Sequence, residues 1–251
     1  EKAGIIKEGV PVVSSMQEPE ALSVISKTCK EKNVRLYLVG RDIVINDIKV
    51  TKRNDVYGTE CEIRTWRNKY KNIFLPLIGQ HQIENCAIAI GALEVLSETG
   101  VIKAGNEMVI NALTKVKCPA RIEVVSENPL VVLDTAHTVS SMKILRESIK
   151  ENLSFKKLIV VIGLSEDKDI AGVLREIACA TDDLILTRTG NPREAAPEQM
   201  AVTAKRFYHK KPIVIEDIDE ALKEAKKIAN KNDLICITGS FFLAGKVKKL
   251  L

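Results

Sequence analysis

At 251 residues the chain is long enough for one large domain or two ordinary ones, and 45% hydrophobic with 28% charged residues is an ordinary globular composition. No apolar run approaches the ~18 residues that would read as a membrane span. A net charge of +5, interleaved with acids, suits anionic small molecules, while 4% aromatic residues and no nucleic-acid motif argue against nucleic acid.

The first residues, Glu1-Lys2-Ala3-Gly4-Ile5-Ile6-Lys7, carry no initiator Met and read as the interior of a longer protein. A loop then runs into a short strand at 10–14. Pro19 starts a helix over 20–31, with Leu22, Ile25 and Cys29 on one face. A strand is expected at 34–39. Segments 43–50, 60–66 and 69–77 have β-leaning composition, with Asn54-Asp55 and Tyr57-Gly58 as turn residues, so an antiparallel excursion is expected. The stretch 80–98 is apolar all round through Cys86-Ala87-Ile88-Ala89-Ile90 and predicts a helix buried on most sides. Asn85, near its start, is a simple polar position or a ligand contact at a positively polarised helix end. Another helix follows at 106–116.

A boundary is expected at Lys117-Cys118-Pro119, giving domains at 1–118 and 119–251. Beyond it strands (121–126, 130–134, 157–163, 183–187, 213–215, 233–238) alternate with helices (139–152, 169–180, 197–206, 217–229, 241–251). Repeated β-α units imply a parallel sheet with helices on both faces. The six cysteines, at 29, 61, 86, 118, 179 and 236, include no CxxC and read as isolated thiols of a reducing, cytoplasmic compartment.

Polar groups collect where these strands end. Asp134 and His137 follow Leu130-Val131-Val132-Leu133, and Ser165-Glu166-Asp167-Lys168-Asp169 follows the next strand. Asn191-Pro192-Arg193 and Thr238-Gly239-Ser240 follow two more. Singly, Asp169 or Ser240 reads as a helix cap and Lys168 as a solvated charge; jointly they read as a site at one edge of a sheet. No GxSxG, HExxH, strand-borne GxGxxG or GxxxxGK[ST] is present, and three histidines exclude a His-rich metal centre.

Lys2-Ala3-Gly4-Ile5-Ile6-Lys7, Gly79-Gln80-His81-Gln82 with Asn85, Pro119-Ala120-Arg121, Leu133-Asp134-x-Ala136-His137, Asp167-Lys168-Asp169 and Thr238-Gly239-Ser240 occur in that order along the whole chain. Together they resemble the folylpolyglutamate synthase and dihydrofolate synthase family of the Mur ligase superfamily. The resemblance implies an α/β chain: the remainder of a Mur-ligase-type central ATPase domain, then a Rossmann-like C-terminal ligase domain. It implies ATP and Mg²⁺, an acyl phosphate on a pterin carboxylate, and attack by L-glutamate on a folate or dihydropteroate substrate. Asn85 would contact adenine and Arg121 the ATP phosphates. Asp134 would lie on the nucleotide side, with His137 and Ser240 near the incoming glutamate. Lys2, carbamylated, would bring an oxygen to the metal, and it must first lose its proton. With Asp134, His137 and Lys2 as the catalytic set, no nucleic acid or membrane partner is expected, and the complete enzyme would be a monomer.

Two departures stand out. The family turn reads Asp-Gly-Ala-His-Asn-Pro, whereas this one reads Asp134-Thr135-Ala136-His137-Thr138-Val139; losing the glycine should restrict the backbone, and losing Asn-Pro should alter the helix start. The family's phosphate-binding loop is absent from these residues, so the chain alone is expected to be inactive. The alternatives are a non-catalytic binding or regulatory protein built from a truncated ligase, and a Mur-type ligase with another acceptor.

Overall fold

The computed structural model describes residues 2–251, Lys2 through its backbone only. The chain divides into two compact units, Glu1–Lys117 and Cys118–Leu251.

In the first unit a 3₁₀ turn at Lys2–Ile5 precedes β1 (Val12–Ser14), α1 (Pro19–Glu31) and β2 (Leu36–Leu38). Next come β3 (Val44–Arg53), β4 (Val56–Arg64), β5 (Lys69–Leu75), α2 (Gln80–Glu98) and α3 (Asn106–Leu113). β1 and β2 pair in parallel, and β3, β4 and β5 form the expected antiparallel meander. Asn54 and Asp55 take φ of 47° and 63°, as a two-residue hairpin loop requires. Tyr57-Gly58 is not a turn but lies inside β4. A Cβ at Gly58 would stand 2.5 Å from the Leu75 carbonyl oxygen, so the glycine serves close strand approach. α2 is the core element: Ile83, Cys86, Ala87 and Ile90 pack with Ile43, Ile63 and Ile73. One of its buried polar residues, Glu94, accepts hydrogen bonds from Thr65 Oγ1, Asn68 Nδ2 and Tyr70 Oη, which is what makes its burial tolerable.

The second unit runs β6 (Glu123–Ser126), β7 (Leu130–Leu133), α4 (Val139–Asn152), β8 (Leu158–Ile162), α5 (Ile170–Ala178) and β9 (Asp183–Leu186). It continues through α6 (Pro197–Ala204), β10 (Ile213–Val214), α7 (Ile218–Ile228), β11 (Leu234–Thr238) and α8 (Phe241–Lys248). The sheet order is β10-β9-β8-β11-β7-β6, parallel throughout except for β6. A parallel partner for β7 would need a long crossover, and the three residues 127–129 allow only a hairpin. β6 also starts at Glu123 rather than 121, because Ala120 and Ile122 take φ of 54° and 50°.

β8 and β11 are wholly buried, which is why they read as unbroken apolar runs. On one face Val131, Leu133, Ile159, Val161, Ile235 and Ile237 pack against Ile218, Ala221 and Leu222 of α7 and Leu243 and Val247 of α8. Alternate residues such as Val132, Val160 and Cys236 point to the other face. Helices α4, α5 and α6 pack side by side, α5 between the other two. The architecture is an α/β fold built on a parallel-rich sheet.

Candidate functional site

Four neighbouring strands, β9, β8, β11 and β7, run parallel, so their carboxyl ends open at one edge. The loops leaving them surround a cavity of ≈ 160 Å³. Its lining includes His137 after β7, Ser165, Asp167 and Lys168 after β8, Asn191 and Arg193 after β9, and Ser240 after β11. The polar groups singled out at separate strand ends thus meet in one place. The loops hold each other: Glu166 N–H donates to the Arg193 carbonyl at 2.9 Å, and Ala195 N–H to that of Leu164 at 2.8 Å. Gly239, at φ 98°, lets the β11 loop pass so close that a Cβ would stand 2.3 Å from the Gly163 oxygen. Asp169 is a helix cap, accepting from Gly172 N–H, and Lys168 pairs with Asp167 at 2.7 Å. Ser240 both caps α8, accepting from Phe242 N–H, and faces the cavity.

The turn after β7 is built around Asp134. It is 6% exposed; Oδ2 accepts from Ile122 N–H at 3.0 Å and Oδ1 from Ala136 N–H at 2.7 Å. One carboxylate therefore ties the segment carrying Arg121 to the segment carrying His137. Burial pushes its pKa up, and these N–H bonds and Arg121 partly offset that rise. Thr135 does not adopt a positive φ, so the glycine of the family turn is not required here. Its hydroxyl accepts from Arg121 Nη1, and its carbonyl accepts from His137 Nδ1–H at 2.8 Å, leaving Nε2 of the neutral ring as an acceptor. The helix start survives the loss of Asn-Pro because Thr138 and Ser141 form a reciprocal capping box on α4.

Arg121 sits between two left-handed residues, and a β-branched residue such as Ile122 adopts that conformation only when its surroundings impose it. Asn85 lies in the second turn of α2, exposed, and belongs to the other unit. Sequence reasoning missed Glu194: its Oε2 accepts from Thr189 N–H and Gly190 N–H, both at 2.8 Å, and its Oε1 takes Arg188. It shapes the loop that presents Asn191 and Arg193, but a lone acid in a polar segment carries no signal of this. The Lys2 side chain, and with it the carbamylation expectation, lies outside the described residues. Among the described residues no three His, Cys, Asp or Glu side chains gather as a metal site, and no helix is long and apolar enough to cross a membrane.

Residues 120–241 match the family model described as Mur ligase, glutamate ligase domain. Across 255 residues the chain is 29% identical to the dihydrofolate synthase/folylpolyglutamate synthase of Bacillus subtilis, covering 100% of this chain and 57% of that protein. It is similar to the solved structure of Mycobacterium tuberculosis folylpolyglutamate synthase complexed with ADP and AMPPCP. The TM-score is 0.87 at 25% identity, over 99% of this chain and 57% of that one. Residues 120–241 thus carry a Mur ligase glutamate ligase domain, and the chain as a whole is similar to folylpolyglutamate and dihydrofolate synthases. Folylpolyglutamate synthase from Thermotoga maritima gives a TM-score of 0.80 at 29% identity, over 100% of this chain and 56% of that one. The chain thus spans little more than half the length of these relatives. Its turn after β7 carries threonines at 135 and 138, hydrogen-bonded and capping as described.

Proposed function

We propose that this chain carries the amine-substrate side of an ATP-dependent ligase joining L-glutamate to a folate or to dihydropteroate through an acyl phosphate. The cavity at the strand ends carries this reading. Its lining offers Arg193, and Lys168 where it also pairs with Asp167, for carboxylates, Ser165, Ser240 and Asn191 as neutral hydrogen-bonding groups, and His137 Nε2 as an acceptor. That set matches a small amino acid with two carboxylates and an ammonium group. Held there, the ammonium can pass a proton to His137 and expose the nitrogen lone pair for attack. Orientation within the cavity supplies much of the rate, since it turns an encounter into an intramolecular step.

ATP, when bound, supplies the phosphoryl group that activates the acceptor carboxylate. Arg121 fits the phosphate side: its guanidinium contacts a neutral hydroxyl and the Phe241 ring, and Asp134 acts on it only through space, so it keeps donors for an anion. Asn85 is assigned to adenine on family resemblance. Asp134 acts by position, because both its oxygens are engaged by backbone N–H groups. Among the described residues no cluster of carboxylates, histidines or cysteines would hold Mg²⁺.

The test is a ¹⁵N shift titration of the 251-residue chain with L-glutamate. Perturbations at His137, Asn191 and Ser240, lost in His137→Ala, are expected; a spectrum unchanged at saturating glutamate would overturn the reading. Because the sequence holds no GxxxxGK[ST], an ADP-release assay with folate or dihydropteroate and L-glutamate should show no turnover by this chain alone.

A further inference from the structure

We infer that Thr135 is a positioning residue that braces Arg121 and His137 into one unit, with the Phe241 ring as the closing member. Four contacts make a closed circuit. Arg121 Nη1 donates to Thr135 Oγ1, and His137 Nδ1–H donates to the Thr135 carbonyl at 2.8 Å. The Arg121 guanidinium lies 5.1 Å from the centroid of Phe241, and the His137 ring lies 5.9 Å from the same centroid, tilted by 55°. Thr135 itself is 1% exposed, so its hydroxyl cannot drift into solvent and trade its partner for water.

The chemistry of the brace matters as much as its geometry. A carboxylate partner would hold Arg121 firmly but neutralise it. A hydroxyl and an aromatic face orient the guanidinium without a hydrogen-bonded carboxylate, Asp134 acting on it only through space, and leave its other donors available to an anion. The backbone on either side is already fixed by the left-handed Ala120 and Ile122, and the latter's N–H by Asp134. What remains free is the long side chain, and Thr135 with Phe241 restrains it. Glycine at this position, as in the family turn, would supply the carbonyl for His137 but no hydroxyl for Arg121.

The brace stands on these contacts; the tasks of the two braced groups, phosphate contact and amine handling, rest on the function proposed above. The experiment reads the Arg121 guanidinium of the full 251-residue chain by NMR, with the amide fingerprint reporting the fold. Thr135→Val keeps the buried shape and removes the acceptor. It should speed guanidinium rotation about tenfold, the equivalent of one charge-assisted hydrogen bond, and weaken the Phe241 ring-current shift on Arg121. Thr135→Ser should restore slow rotation, and Phe241→Leu should shift Arg121 and His137 signals together. Rotation in Thr135→Val as slow as in the parent, or a Thr135→Ser variant as fast as Thr135→Val, would overturn the brace. These spectra are independent of glutamate: a failed glutamate titration sinks the functional reading and leaves the brace standing, and the reverse holds equally.

Discussion

Asp134 is where burial and function meet in a single residue. Desolvation raises its pKa above the ordinary 3.8, against the pull of the Ala136 and Ile122 N–H groups and Arg121. The sign follows from proton binding. Between 3.8 and the raised value the folded carboxyl still holds a proton that the unfolded one has lost. Stability conferred through this residue therefore falls as pH rises across that window, and the buried charge remains a net cost above it. Removing the charge is nonetheless expected to hurt. In Asp134→Asn the amide oxygen can satisfy one N–H, but the amide nitrogen then confronts the other, leaving a buried donor unpaired. We expect a loss of about 1–3 kcal/mol in urea unfolding at neutral pH. The parent-minus-variant difference should also change with pH just above 3.8. An Asn variant as stable as the parent would show that the two N–H bonds do not hold the turn.

Elements place these residues, and the sequence announced some elements far better than others. β8 and β11 are legible because a strand buried on both faces must be an uninterrupted apolar run, and α2 because its apolar residues occupy every side. The antiparallel sense of β6 depends on connection length rather than composition. The left-handed Ala120 and Ile122 are invisible because neither residue type favours that conformation; tertiary contacts impose it. The convergence of Ser165, Asn191 and Ser240 was legible only as strand-end placement, and their meeting follows from the order β9-β8-β11-β7. That convergence has a tight point. Gly239 has positive φ, and a side chain there would meet the Gly163 carbonyl, so Gly239→Ala should force the β8 and β11 loops apart. We expect a loss of about 1–3 kcal/mol in urea unfolding, together with weakened shifts at Ser165 and Ser240 on glutamate addition. An alanine variant that unfolds like the parent and keeps those shifts would show that the close approach is dispensable.

At the scale of the molecule, the cavity, the Asp134 turn, Arg121 and Phe241 all belong to the unit Cys118–Leu251, which has its own sheet and its own core. Such a unit should fold alone, since few residues are needed to close a core once six strands are paired. The fragment 118–251 is therefore expected to reproduce the amide shifts of these residues in the full chain and to unfold cooperatively. Where it starts is decisive. β6 begins only at Glu123, so a fragment trimmed to 123–251 would keep every strand of the sheet. It would lose Ile122, whose N–H satisfies Asp134 Oδ2 and whose side chain is 2% exposed. A buried carboxylate oxygen deprived of its donor costs about 1–3 kcal/mol, before the lost apolar burial is counted. The shorter fragment should unfold at distinctly lower urea and lose the native shift of Ala136. Equal midpoints for the two fragments would mean that the segment carrying Arg121 leans on the sheet without helping to hold it.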